Sequence, residues 1–232
     1  VIEDILRIYG YNNVIPGSSV KSSISYSSSV DSLKMQNLVA EQLTGCGFNE
    51  ILNNSLTKSA YYAGLEAYPE ANSVMIMNPL SNDLNCMRQS LLFGGLESIA
   101  HNINRKNSDI RFYEFGNCYY FDGSKVSSAD APLKPYSEDF HLALWLSGNK
   151  TSQSWVLKQE KTSFYTLRAY VDNVLVRLGV NMKKCVVGAY CDDLLSDGLT
   201  IDNATGQILV KMGVVAKKQL KIVQDIASLL GE

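Results

Sequence analysis

Aspartates, histidines and cysteines are the side chains of this sequence that could bind a metal or attack a substrate. Four aspartates stand close together near the carboxyl end, at Asp192, Asp193, Asp197 and Asp202. The Leu-Leu-Ser-Asp-Gly run among them is typical of turns, and they lack the spacing of an EF-hand calcium loop. We interpret the four aspartates as turn and edge residues.

The histidines and cysteines indicate neither a nucleophile nor a metal centre. His101 and His141 are isolated, with no nucleophile nearby in the sequence, so we interpret both as structural. The cysteines are odd in number and contain no C-x-x-C pair, at Cys46, Cys86, Cys118, Cys185 and Cys191. That pattern excludes a zinc knuckle and a paired disulfide framework. It predicts buried free thiols in a reducing compartment.

The charge balance argues against an autonomous RNA-binding protein. The formal net charge is −2, so no general positive field would attract a polyanion. Salt bridges at a surface or interface are the favoured interpretation of Arg88, Arg105 and Lys106, with RNA contact as the alternative. Lys217, Lys218 and Lys221 are interpreted as solvated. Neither a signal peptide nor an apolar run near 18 residues is present, which predicts a cytoplasmic protein.

The hydrophobic periodicity predicts an α+β fold. Apolar residues recur at helical spacing in five segments: 1–9, 32–44, 90–106, 162–178 and 216–230. Strand patterns occupy the segments 48–56, 73–77, 110–121, 140–147, 184–190, 197–202 and 207–214. Runs of neighbouring strands favour one antiparallel sheet of about six strands, flanked by helices, over repeated βαβ units.

Three regions follow from the composition. Residues 16–30 contain eight serines, and this composition predicts a linker. Residues 1–15 then form the end of a preceding domain, and residues 31–232 form the main domain. Because the first residue is Val1 rather than methionine, we expect the sequence to be a piece of a longer protein.

Three motifs together resemble the β subunit of bacterial phenylalanyl-tRNA synthetase. The most specific is NPLSNDLNCMRQSLLFGGLESIAHNINRKNSDIRFYEFG at 78–116, and the others are EDILRIYGYNN at 3–13 and MGVVAKKQLK at 212–221. The resemblance implies that residues 1–15 end the family's B5 domain. It also implies that residues 31–232 form a class II synthetase-like core.

The same resemblance implies a core without an active site. Class II synthetases hold ATP with an arginine two residues before a glutamate, but Phe112 stands two residues before Glu114. Arg111 is followed two residues later by Tyr113, and the 206–213 segment lacks the family's glycine–arginine pattern. Without bidentate arginines no preorganised charge stabilises the pentavalent phosphorus. We therefore predict no catalytic and no cofactor-binding residue here, with ATP bound only at the α subunit.

The resemblance further implies a metal and partners. Glu3 and Asp4 match positions that contribute carboxylates to a Mg²⁺ site shared with the α subunit, where a further aspartate would precede Val1. The partners implied are the α subunit, in an α2β2 heterotetramer, and tRNA(Phe). The 32–44 helix, with Leu33, Leu38, Val39 and Leu43 on its apolar side, is implied to join an intersubunit four-helix bundle; packing within the subunit is the alternative. A free-standing class II-like ligase and an independent RNA-binding module are the alternative functions.

Overall fold

The computed structural model describes residues 1–15, 17–19, 22–23, 30–125, 127, 131–151 and 154–220. The chain divides into two compact units, Val1–Asp31 and Ser32–Glu232. Among its described residues the first unit contains one α-helix, α1 (Ile2–Tyr9), none of whose residues is buried, followed by a short 3-10 helix at Tyr11–Asn13. Gly10 ends α1 with a positive φ of 90°, which glycine adopts without steric cost. Most of the predicted serine-rich linker at 16–30 lies outside the described residues.

The second unit alternates strands and helices in a mixed α+β order. Its helices are α2 (Ser32–Gly45), α3 (Leu92–Asn104) and α4 (Phe164–Arg177). Its strands are β1 (Asn49–Glu50), β2 (Leu56–Thr57), β3 (Cys86–Met87), β4 (Ile110–Phe121), β5 (Tyr136–Ser147), β6 (Val186–Tyr190), β7 (Leu195–Asp202) and β8 (Ile208–Val215). The helix predicted at 216–230 is described only as far as residue 220, with 217–220 helical.

The strands form three hydrogen-bonded sheets rather than the single antiparallel sheet of about six strands expected from the sequence. β4 and β5 form a long antiparallel hairpin, with Ile110 opposite Ser147 and Phe121 opposite Tyr136. β1 joins the hairpin in parallel, β2 pairs with β3, and β6, β7 and β8 form an antiparallel meander. The 48–56 segment is not one strand, because the backbone N–H of Asn53 donates to a side chain, Glu114, instead of to a neighbouring strand.

Only part of the apolar side of helix α2 packs against the core. Val39 (3% exposed) and Leu43 pack against Phe48, Tyr113 and Val174. Leu33 and Met35, on the first turns of the same helix, are exposed, and Leu38 is half-buried. The helix therefore has two buried core residues, Val39 and Leu43, and further apolar residues that are exposed or half-buried.

Helix α3 approaches the hairpin closely because it carries two consecutive glycines. A Cβ atom added to Gly95 would lie 2.1 Å from Cε2 of Trp145, and one added to Gly94 would lie 2.9 Å from Cβ of Asn53. Real non-bonded carbon atoms do not approach so closely, so a side chain here would push the helix off the hairpin. The Gly-Gly pair in the 78–116 motif is thus explained by packing.

We expect Gly95→Ala to lower the free energy of unfolding by about 1–3 kcal/mol, the usual cost of overpacking a filled core. Urea-induced unfolding monitored by Trp145 fluorescence and by circular dichroism would measure the loss. Gly45→Ala is the matched control, because nothing lies within 4 Å of its added Cβ atom. Equal stability of the two variants would contradict the close-packing explanation.

Candidate functional site

Glu114, the only acidic residue of strand β4, is the best candidate functional side chain of the domain, yet it is closed inside the protein. Its exposed fraction is 0%. Oε1 accepts hydrogen bonds from Nη1 of Arg88 at 2.7 Å and from the backbone N–H of Asn53 at 3.1 Å. Oε2 accepts from Nδ2 of Asn53 at 2.7 Å. Both carboxylate oxygens therefore have protein donors.

Arg88, the residue directly after strand β3, is also buried, and its side chain reaches Glu114. Its Nε donates to the carbonyl of Asn117 at 2.9 Å, and Nη1 also lies 3.3 Å from the carbonyl of Asn53. Gly116 provides the space, since a Cβ atom there would lie 2.2 Å from Nη2 of Arg88. The expectation of a surface or interface salt bridge for Arg88 is corrected: the ion pair lies in the interior.

The Arg88–Glu114 pair organises the segment that separates strands β1 and β2. Oδ1 of Asn53 accepts a hydrogen bond from the hydroxyl of Ser98, which connects the network to helix α3. A buried pair of charges is tolerated only when hydrogen bonds satisfy its remaining donors and acceptors. This network meets that condition by joining β4, α3 and the loop before β2. The network therefore stabilises the packing of these elements against one another.

Arg111, the other charged residue of this part of β4, is engaged elsewhere. Its Nη1 donates to the carbonyl of Cys46 at 2.8 Å, its Nη2 donates to the carbonyl of Lys150 at 2.5 Å, and its guanidinium lies 5.9 Å from the ring centroid of Tyr170. Phe112 is buried in an apolar cluster. The hairpin therefore presents no pair of free guanidinium groups to a phosphate on its β4 strand.

The buried thiols and phenols are protonated rather than activated. Burial raises the pKa of the Cys86 thiol to about 11, and that of the Cys118 thiol also to about 11. Burial together with the hydrogen bond to Glu97 raises the pKa of the Tyr61 hydroxyl. At neutral pH these two thiols are poor nucleophiles, because the thiolate is the reactive form.

The remaining cysteines and both histidines are more accessible than the buried thiols. Cys46 and Cys185 are half-buried and Cys191 is exposed, so the prediction of buried thiols is confirmed only for Cys86 and Cys118. His101 and His141 are exposed on α3 and β5. Neither histidine makes a described hydrogen bond to a cysteine, serine or threonine.

Of the four aspartates near the carboxyl end, Asp192 and Asp193 lie in the turn before β7, as the sequence predicts, but Asp197 and Asp202 lie within β7, the central strand of its sheet, and are not edge residues. Oδ1 of Asp192 accepts from the backbone N–H groups of Leu194 and Leu195, at 2.9 and 2.6 Å. Asp193 accepts from the backbone N–H of Glu66 at 2.6 Å and so holds a distant loop. Within the described ranges, no group of three or more His, Cys, Asp or Glu side chains could hold a metal.

Glu3 and Asp4 do not by themselves fit a Mg²⁺ site. Both are exposed on α1, and Glu3 forms an ion pair with Arg7 at 2.7 Å. Successive residues of a helix do not face each other, so Glu3 and Asp4 do not form a closed binding site on their own. Mg²⁺ demands near-octahedral oxygen ligation, which two carboxylates alone cannot supply.

One open cavity of about 440 Å³ lies beside the first turn of α4 and the ends of β6 and β7. Its lining residues include no lysine or arginine: Phe164, Ala189, Tyr190, Cys191, Ser196, Asp197 and Gly198. A nucleoside triphosphate needs positive charge around its phosphates, so the lining does not fit one.

Over the portion of the chain that the structure describes, no helix is long and apolar enough to cross a membrane.

The strands and helices around this hairpin form a mixed α+β domain, and its fold is similar to that of a solved tRNA synthetase. A solved pyrrolysyl tRNA synthetase, PylSc from Desulfitobacterium hafniense, is similar with a TM-score of 0.56 over 83% of this chain and 61% of its own. At 14% sequence identity the likeness concerns the fold alone. The family model described as "Phenylalanyl tRNA synthetase beta chain CLM domain" matches residues 15–218. The chain belongs to that family.

Curated relatives agree with the family assignment. Proteins named "Phenylalanine--tRNA ligase beta subunit" are 60% identical in Bacteroides fragilis and 58% identical in Bacteroides thetaiotaomicron, each over 222 residues and 95% of this chain. One from Porphyromonas gingivalis is 41% identical over the same span. The chain covers 27% of the length of each of these relatives.

Proposed function

We propose that this chain is the catalytically silent core of a phenylalanine–tRNA ligase β subunit, with a class II synthetase-like α+β fold. It assembles with an α subunit in an α2β2 heterotetramer, and the α subunit carries ATP-dependent attachment of phenylalanine to tRNA(Phe). The complex works in the cytoplasm. The family match over residues 15–218 supports this assignment, and the activity belongs to the larger assembly.

The complete burial of Glu114 is the observation that supports the non-catalytic role. A catalytic carboxylate must reach its substrate within hydrogen-bonding distance, but both oxygens of Glu114 are taken by Arg88 and Asn53. Arg111 is likewise held by two backbone carbonyls. The charged side chains of strand β4 therefore have protein partners and stabilise this domain.

The purified chain is expected to form no aminoacyl-adenylate. Phenylalanine-dependent exchange of pyrophosphate into ATP would remain at the level of the assay without protein, because no described guanidinium on the hairpin is free to stabilise the transition state. Adding the α subunit to the full-length β subunit provides the active control. Exchange by the chain alone that persists after removal of host enzyme would contradict the silent role.

Assembly with the α subunit is proposed to use the exposed part of helix α2. Leu33 (66% exposed) and Met35 are apolar and open to solvent on its first turns. Met35 and the half-buried Leu38 are three residues apart and so share a helix face, as the usual anchors of helix bundles do. Leu33 is a further exposed apolar residue nearer the start of the helix. Direct contact between this chain and tRNA(Phe) has weaker support, because Arg88 and Arg111 are occupied by protein groups.

The two carboxylates on α1 are proposed to be part of a Mg²⁺ site. Glu3 and Asp4 would each supply an oxygen, and the other ligands would come from outside this chain. Calorimetric titration of Mg²⁺ into the α–β complex carrying Glu3→Gln and Asp4→Asn would test the assignment. Unchanged Mg²⁺ affinity would remove both residues from the site.

A further inference from the structure

Strand β5 has one side that no described strand covers. Over its first six residues, Tyr136 to His141, the described backbone pairing is with β4 alone. All six residues are exposed. A strand edge of this length presents a row of unused backbone donors and acceptors, which is a template for one more strand. We call this segment the β5 edge.

Aromatic rings form one face of the hairpin beside the β5 edge. Phe140 (54% exposed) stacks on Phe115 with ring centroids 6.1 Å apart and an angle of 4° between the rings. Tyr136 (47% exposed) lies 5.3 Å from Phe121. Rings this exposed on one face act as an apolar platform for side chains of a docked chain. The two ring pairs lie at different positions along the strand.

Charge at the β5 edge is negative. Glu138 lies between Tyr136 and Phe140 on the aromatic face, and Asp139 points to the opposite face because successive residues of a strand alternate. Neither carboxylate takes part in a salt bridge among the residues that the structure describes, although Glu138 accepts a hydrogen bond from Asn117. Two unneutralised carboxylates repel a nucleic acid backbone, and they repel the same edge of a second copy.

We propose that the β5 edge binds an extended, basic segment of a partner protein, which adds to the sheet as another strand. Backbone hydrogen bonds would provide part of the affinity, and the side chains would provide selectivity. On the aromatic face the segment carries apolar residues opposite Tyr136 and Phe140 and a cation opposite Glu138. On the other face it carries a cation opposite Asp139. This surface is separate in sequence from the helix proposed to meet the α subunit.

A six-residue peptide with this pattern tests the proposal. We would titrate acetyl-Val-Thr-Lys-Lys-Val-Thr-amide, labelled with a fluorophore, into the 232-residue chain and measure fluorescence anisotropy at 50 and 300 mM salt. Binding should saturate and weaken at the higher salt concentration, because salt screens exposed charges. The peptide with glutamates in place of both lysines should bind at least tenfold more weakly.

Variants locate the site. The double variant Glu138→Lys/Asp139→Lys should lose at least tenfold in peptide affinity while keeping its melting temperature, since both side chains are exposed. Glu160→Lys, which alters an exposed acid paired with Lys150, should bind the peptide normally. Equal affinity for the lysine and glutamate peptides, or an unaffected double variant, would overturn the proposal. So would a chain dimer in sedimentation that dissociates on Phe140→Ser, because a second copy would then occupy the edge.

Discussion

Glu114→Leu is expected to lower the free energy of unfolding by about 3–5 kcal/mol, the cost of leaving one member of a buried ion pair without its partner. The guanidinium of Arg88 would stay in the interior with its counter-charge removed. The two donors of Asn53 would also lose their acceptor. Domains are stable by only about 5–15 kcal/mol, so this loss would remove a large share of the total stability.

A double-mutant cycle separates this explanation from simple loss of volume. Arg88→Met should destabilise the domain by a similar amount, because Glu114 would then be the uncompensated charge. The pair Arg88→Met/Glu114→Leu should be markedly more stable than either single variant, since apolar side chains of similar size replace buried ion pairs well. Urea denaturation measures all three. Additive losses in the double variant would mean that the two residues act independently.

The exposed pair Lys150–Glu160 provides the control for that cycle. Its atoms are 3.2 Å apart, but both side chains remain about half or more exposed. Exposed ion pairs contribute roughly 0–1 kcal/mol, so Glu160→Gln should change the stability little. A loss as large as that of Glu114→Leu would show that general charge removal, rather than burial, is responsible.

Val39→Glu is expected to destabilise the isolated domain by several kcal/mol, because an ionised carboxylate in an apolar cluster has no donor to replace water. Val39 packs among Leu43, Phe48, Tyr113 and Val174, none of which offers a cation. The fraction folded should fall before any partner is added. Thermal unfolding of the variant by circular dichroism would show this directly.

Leu33→Glu is the matched variant on the same helix. Leu33 is exposed, so the change should leave the melting temperature within a few degrees of the parent and weaken binding to the α subunit instead. Pull-down and calorimetry with purified α subunit would measure that affinity. Normal affinity for Leu33→Glu would remove this part of α2 from the proposed interface. A normal melting temperature for Val39→Glu would contradict the packing of α2.

Periodic and local features of this chain were determined by the sequence itself. The helical spacing between residues 90 and 106 predicted α3 to within two residues at each end, and the aromatic run 110–121 matched strand β4 without adjustment. The turn chemistry around Asp192 was also local, because an aspartate can accept from backbone N–H groups two and three residues further along the chain. The motif at 78–116 was specific enough to indicate the family.

Contacts between distant residues were decided only by the tertiary structure. Arg88 and Glu114 are 26 residues apart, and their pairing depends on the space left at Gly116 and on the path of the chain at Asn53. The 48–56 segment reads as a single strand, yet it divides because Glu114 takes the N–H of Asn53. The apolar side chains of α2 also separate into core and surface sets, because periodicity places residues on a helix face but burial depends on which neighbours cover that face.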